Sequence, residues 1–77
     1  MNITVYSTQT CPYCKLAKAF LEEHQIPFEN IDVGADDKAA SEMIRRSGQT
    51  GVPVIDVNGK IIVGFDREAL KKALKLT

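Results

Sequence analysis

Two cysteines, Cys11 and Cys14, stand two residues apart in the stretch STQTCPYCKLAKAF, where a helical pattern begins. Cysteines at i and i+3 on a first helical turn lie close enough for a disulfide, yet the loop they close is too short to restrict the unfolded chain much. A structural staple is a poor use of them. A zinc site generally takes four ligands, and the other candidates are His24 and scattered carboxylates, with no second CxxC and no closely spaced histidine pair. No metal site within one chain is expected. An iron-sulfur cluster held between two chains stays open as a binding-module reading, and a redox-silent contact domain as a third class.

Redox chemistry accounts for more of the placement. Cys11 falls at the N-cap of the first helix, where unpaired backbone N–H groups and the helix dipole favour an anion, and so the thiolate. Cys14, one turn inside, is better shielded and placed to attack a mixed disulfide formed on Cys11. Cys11 is thus the expected nucleophile and Cys14 the expected resolving thiol.

These roles require a strand to deliver the pair and a helix to hold it. NITVY (2–6) is rich in β-branched and aromatic residues and runs into the polar break STQT, which is the pattern of a strand entering a loop. From Pro12 to about His24 the apolar residues Leu16, Ala17, Phe20 and Leu21 recur at helical spacing, with Pro12 suited to the first turn. After Pro27, FENIDV (28–33) reads as a second strand, parallel to the first across a βαβ unit. A CxxC placed between such a strand and helix is the pattern of a thioredoxin-like redox motif.

ADDKAASEMIRRSG opens acidic and closes on Arg45, Arg46 and Gly48, the charge and capping order of a helix, with Met43 packed inward beside Ala40 and Ile44. VPVIDV (52–57) and KIIVGF (60–65) meet across Asn58-Gly59, a strong hairpin signal. Asp66 can cap a last helix over 67–76 that carries Leu70, Ala73 and Leu74 on one side. The order βαβαββα implies an α/β fold, a four-stranded mixed sheet flanked by three helices.

With 77 residues, 44% of them hydrophobic and 26% charged, the chain suits one soluble domain spanning 1–77. Zero formal net charge gives no electrostatic reason to invoke nucleic acid or an anionic membrane. The acidic residues concentrate in 22–42, leaving Lys15, Lys18, Arg45, Arg46 and Arg67 to a more basic remainder that reads as solvated faces. MNITVYS lacks the basic lead and apolar run of a signal peptide, so a cytoplasmic location is expected. A monomer is the expected state. His24, more than three turns from Cys11, suits the C-terminal end of its helix rather than the site.

Over its whole length the chain resembles a glutaredoxin. CPYC at 11–14 matches that family's active-site tetrapeptide, GVP at 51–53 resembles its TVP segment, and GFD at 64–66 lies where it carries a Gly-Cys-Asp-type loop. The resemblance implies a thioredoxin fold with Pro53 as a cis-proline facing Cys11. It implies that the Val52 backbone pairs with an incoming peptide or glutathione, and that Pro12 and Tyr13 border the reactive sulfur. The backbone of Gly64, Phe65 and Asp66 would receive the γ-glutamyl end of glutathione. Read from the residues alone, Pro53 is a strand-start proline, Phe65 a core or edge aromatic, and Asp66 a helix cap.

The chain departs from the pattern at identifiable places. Thr8 stands where glutaredoxins commonly have a lysine that meets the glycyl carboxylate of glutathione, Gly51 replaces the TVP threonine, Gln49 stands where an arginine or other polar residue is often seen, and Arg67 stands where a second acid is frequent. The stretch SGQTGVPVI…IVGFDR also resembles small glutaredoxin-like redoxins that draw electrons from a thioredoxin-reductase-type flavoprotein and pass them to partners such as ribonucleotide reductase. The expectation is a dithiol thiol-disulfide oxidoreductase acting on disulfide-containing proteins or glutathione mixed disulfides. It needs no bound cofactor, with glutathione as co-substrate or a flavoprotein as reductant.

Overall fold

The computed structural model describes residues 2–75. In chain order they form β1 (Ile3–Ser7), α1 (Pro12–Glu23), β2 (Glu29–Asp32), α2 (Asp37–Ser47), β3 (Val54–Val57), β4 (Lys60–Val63) and α3 (Arg67–Leu74). The four strands make one mixed sheet in the order β2-β1-β3-β4, with β1 parallel to β2 and β3 antiparallel to both β1 and β4. This is the expected βαβαββα arrangement, a thioredoxin fold.

Element ends follow from capping chemistry. Asp36 and Asp66 precede α2 and α3 in extended conformation, and each carboxylate accepts an N–H three residues on, from Ala39 and Ala69 at 3.1 Å. Gly48 ends α2 at φ 76°, a left-handed position that glycine adopts without penalty. Asn58 and Gly59 both have positive φ, as the two-residue turn between β3 and β4 demands. Lys75 closes α3, and Leu76, included in the expected last helix, lies outside the described residues.

β3 and β4 are shorter than the apolar runs that encode them. β3 begins at Val54 because Pro53 has no N–H for the ladder and its bond to Val52 is cis. β4 stops at Val63 because Gly64 turns away at φ 79°. The residues trimmed from both strands come together: the Gly64 N–H donates to the Pro53 carbonyl at 2.8 Å.

Period-two alternation divides the core between the two faces of the sheet. Ile3, Val5, Ile55, Val57 and Ile62 pack with Ala17, Phe20 and Leu21 of α1 and Leu70 and Leu74 of α3. Tyr6 and Val54 point the other way, onto Met43 of α2. Two expected core residues are exceptions. Leu16 is 49% exposed and Ile44 42% exposed, because each sits beside a buried helical neighbour, Ala17 or Met43, and the 100° step per residue carries it off the packed stripe.

One charge lies inside this frame. Asp56, on the central strand β3, is only 9% exposed. Its Oδ2 pairs with Arg46 Nη1 at 2.6 Å and its Oδ1 accepts the Gly59 N–H at 2.7 Å, so both oxygens are engaged. The Tyr6 hydroxyl lies 3.5 Å from the same guanidinium nitrogen and, with Asp56, holds Arg46 more firmly in its charged form. The pair ties the last turn of α2 to β3, bracketing the segment that carries Pro53.

Candidate active site

Cys11 is the N-cap residue of α1, extended at φ −89° and ψ 112°, and Pro12 follows in the first turn, where a missing N–H costs nothing. The Cys11 sulfur accepts the backbone N–H of Cys14 at 3.1 Å, and the Cys11 thiol lies 3.8 Å from the Val52 carbonyl, toward which it can donate. Capping chemistry usually performed by a serine or aspartate oxygen is here performed by a sulfur. A sulfur so held sits where the helix start stabilises negative charge.

The second thiol differs in burial and in acidity. Cys14 is 0% exposed, whereas Cys11 is half-buried, and both are free thiols. Burial, then the hydrogen bond with Cys11, pushes the Cys14 thiol up to about 11; the Thr8 backbone and the charge of Lys18 pull weakly the other way. Cys14 is therefore a protonated thiol at neutral pH. It becomes a nucleophile only when a base or a change at the Cys11 sulfur removes its proton.

Of the residues singled out in the sequence, Val52 meets Cys11 and Gly64 reaches the same segment through Pro53, while Phe65 and Asp66 are held by other contacts. The Val52–Pro53 bond is cis, and the Val52 carbonyl is the backbone group that meets the Cys11 sulfur. Gly64 joins the same rim through its bond to the Pro53 carbonyl. Phe65 is half-buried, edge-on to Phe20 with ring centroids 6.1 Å apart. Asp66 is exposed and caps α3, which leaves its second oxygen uncommitted among the described hydrogen bonds. Tyr13 projects into solvent at 64% exposure beside the cysteines.

The departures also have defined places. Thr8, half-buried, lines a depression with Gln9, Thr10, Asp32, Gly34 and Ala35, a neutral wall relieved only by the Asp32 carboxylate. Arg67 lies over the Phe20 ring, 5.8 Å from its centroid, a cation–π contact, and shares a groove with Leu16, Glu23 and Phe65. His24 turns its ring to the helix end: Nδ1 is 2.9 Å from the Phe20 carbonyl and the ring packs on Phe20 at 4.4 Å. Among the described residues no group of three or more His, Cys, Asp or Glu side chains converges, and no helix is long and apolar enough to cross a membrane.

Two features of the site were missed in the sequence. The Arg46–Asp56 pair had a signal, since a lone acid in the apolar run VIDV needs a partner once it is buried. The internal bonding of the 47–52 loop had none, because it arises from how one side-chain amide folds back on a nearby peptide.

Comparison with known proteins agrees with this geometry. The glutaredoxin family model matches residues 3–62. A glutaredoxin-like 8.6 kDa protein of the rubredoxin operon of Clostridium pasteurianum is 44% identical over 73 residues, covering 95% of this chain and 97% of its own. Glutaredoxin 3 of Escherichia coli K12 is 38% identical over 84% of this chain and 78% of its own. The structure of the glutaredoxin-like NrdH-redoxin of Escherichia coli, described as having a thioredoxin-like activity profile, superposes with a TM-score of 0.83 at 28% identity, covering 94% of this chain and 93% of the redoxin. With a dithiol at a helix start, a proline loop against it and these relatives across nearly its full length, the chain belongs to the glutaredoxin family.

Proposed function

We propose that the protein is a dithiol thiol-disulfide oxidoreductase that reduces protein disulfides and glutathione mixed disulfides through Cys11 and Cys14. The observation that carries this reading is the asymmetry of the pair: one sulfur half-exposed and capping a helix, the other buried and protonated one turn behind it. The Cys11 thiolate attacks one sulfur of a substrate disulfide, forming a mixed disulfide and releasing the other sulfur as a thiolate that takes up a proton. Cys14 loses its proton and attacks the Cys11 sulfur, releasing the second substrate thiol. Two electrons have passed to the substrate, and Cys11 and Cys14 are left as a disulfide.

An external dithiol, or two glutathione molecules, returns the pair to the reduced form, so the cycle runs without a bound organic cofactor. The Val52 carbonyl beside Cys11, with Pro53 next in the chain and Gly64 bonded to it, supplies the backbone against which a peptide or glutathione can lie. Such a pair suits a reducing compartment such as the cytoplasm.

A second reading concerns the electron source. Thr8 leaves no cation where the resemblance places one for the glycyl carboxylate of glutathione, and Arg67 is engaged with Phe20 where a second acid is frequent. Both favour reduction by a thioredoxin-reductase-type flavoprotein, with electrons passed on to an enzyme such as ribonucleotide reductase. The test follows NADPH oxidation during reduction of a protein disulfide. One arm contains glutathione with glutathione reductase, the other a thioredoxin-reductase-type flavoprotein. Turnover in the first arm alone supports glutathione coupling, turnover in the second alone the flavoprotein route, and turnover in neither overturns the oxidoreductase reading.

A further inference from the structure

The loop between α2 and the Pro53 segment is braced by its own side chains. Ser47 Oγ accepts the Gln49 N–H at 3.3 Å and lies 2.7 Å from the Met43 carbonyl and 3.0 Å from the Gln49 carbonyl, either of which its hydroxyl can bond. Gln49 in turn grips Gly51 from both sides. Its Nε2 donates to the Gly51 carbonyl at 2.9 Å and its Oε1 accepts the Gly51 N–H at 2.8 Å, so one planar side-chain amide pairs with a backbone donor and acceptor as a neighbouring strand would. The next residue is Val52, whose carbonyl lies against the Cys11 sulfur.

Gly51 is not among the residues with positive φ, so its backbone does not demand glycine. A Cβ there would come within 2.9 Å of Gln49 Oε1, and its three nearest neighbours are all atoms of the Gln49 side chain. Glycine at 51 is what lets the amide reach the backbone, and the two residues act as a matched pair. We infer that Gln49, seated on Gly51, is a positioning residue that holds the Val52 carbonyl at the Cys11 sulfur and so fixes the backbone against which a disulfide-bearing peptide is placed.

The inference rests on the proposed dithiol chemistry, and its test separates the two. Gln49→Ala deletes the amide; Gly51→Ala fills the space it occupies; Gln49→Glu keeps the acceptor for the Gly51 N–H but loses the donor to the carbonyl. The full-length reduced chain and each variant, including the double alanine variant, are reacted with a peptide disulfide. In parallel they are reacted with iodoacetamide, whose attack on Cys11 needs no backbone partner.

Each alanine variant should slow the peptide-disulfide reaction about tenfold, the scale of losing one or two hydrogen bonds, and Gln49→Glu should slow it less. The double variant should be no slower than the slower single one, since both remove the same contact. Alkylation should stay within about twofold throughout, with thermal midpoints nearly unchanged for so exposed a loop. A peptide-disulfide rate within about twofold of the unmodified chain in Gln49→Ala, additive losses in the double variant, or equal loss of both reactions overturns the inference. An unmodified chain that is alkylated at Cys11 but does not react with the peptide disulfide overturns the dithiol reading itself, and this inference with it.

Discussion

The backbone N–H of Cys14 points at the Cys11 sulfur across 3.1 Å, while the Cys14 thiol is sealed from solvent. One residue thus supports its partner through the main chain and keeps its own sulfur in reserve. The pair is chemically unequal before any substrate arrives.

Selective alkylation follows from that inequality. With the Cys14 thiol pushed up to about 11, on the order of one molecule in a thousand carries its thiolate at pH 8, and burial blocks reagent access as well. Limited treatment of the reduced protein with iodoacetamide at pH 8 should therefore label Cys11 and spare Cys14. Peptide mapping checks this, and equal labelling of both would remove the asymmetry.

The same shift makes alkaline pH destabilising. A thiol whose pKa is raised on folding binds its proton more tightly in the native state, so its contribution is fully present below the unfolded value of 9.0 and lost as pH rises through about 11. Over that window it amounts to roughly 2–3 kcal/mol. Urea unfolding of the reduced chain and of Cys14→Ala at several pH values between 7 and 11 should show their stability difference shrinking as pH rises. A constant difference would contradict it.

Removing Arg46 strands a buried carboxylate. Arg46→Ala should cost about 1–3 kcal/mol, less than breaking a fully buried pair because the arginine is partly exposed. Asp56→Asn, which keeps an acceptor for the Gly59 N–H, should cost less than Asp56→Ala. Urea midpoints decide the order, and an Arg46→Ala chain as stable as the parent would show that Asp56 is rescued by water.

Glutathione use should respond to charge at position 8. Thr8→Lys places a cation on a wall whose one charge is the Asp32 carboxylate and should lower the KM for a glutathione mixed disulfide about three- to tenfold at low salt, with the gain fading as salt is added. An unchanged KM would remove residue 8 as a determinant.

Much of this was legible in the sequence because local signals and tertiary structure agree. CPYC at the junction of a strand and a helix, Asn58-Gly59 between apolar runs, and Asp36 and Asp66 before amphipathic segments each name an element and its end. The strand ends were less legible, since VPVIDV and KIIVGF look continuously extended and only the backbone shows the chain leaving the ladder at Pro53 and Gly64. Leu16 and Ile44 were misplaced because periodicity marks a stripe and not its edges. The cis bond before Pro53 came from the family resemblance, as residue types alone favour trans. The lone acid in VIDV signals that Asp56 needs a partner but not that the partner is Arg46, and the Gln49 clamp depends on a side-chain conformation that residue types do not encode.

The central claim, that Cys11 attacks and Cys14 resolves, is tested most directly by trapping the mixed disulfide. Cys14→Ser and Cys11→Ser are each reacted with a substrate disulfide and read by intact mass and peptide mapping. Cys14→Ser should accumulate a stable adduct on Cys11 while Cys11→Ser accumulates none. An adduct on Cys14 in Cys11→Ser, formed as fast as that on Cys11, would contradict the assignment.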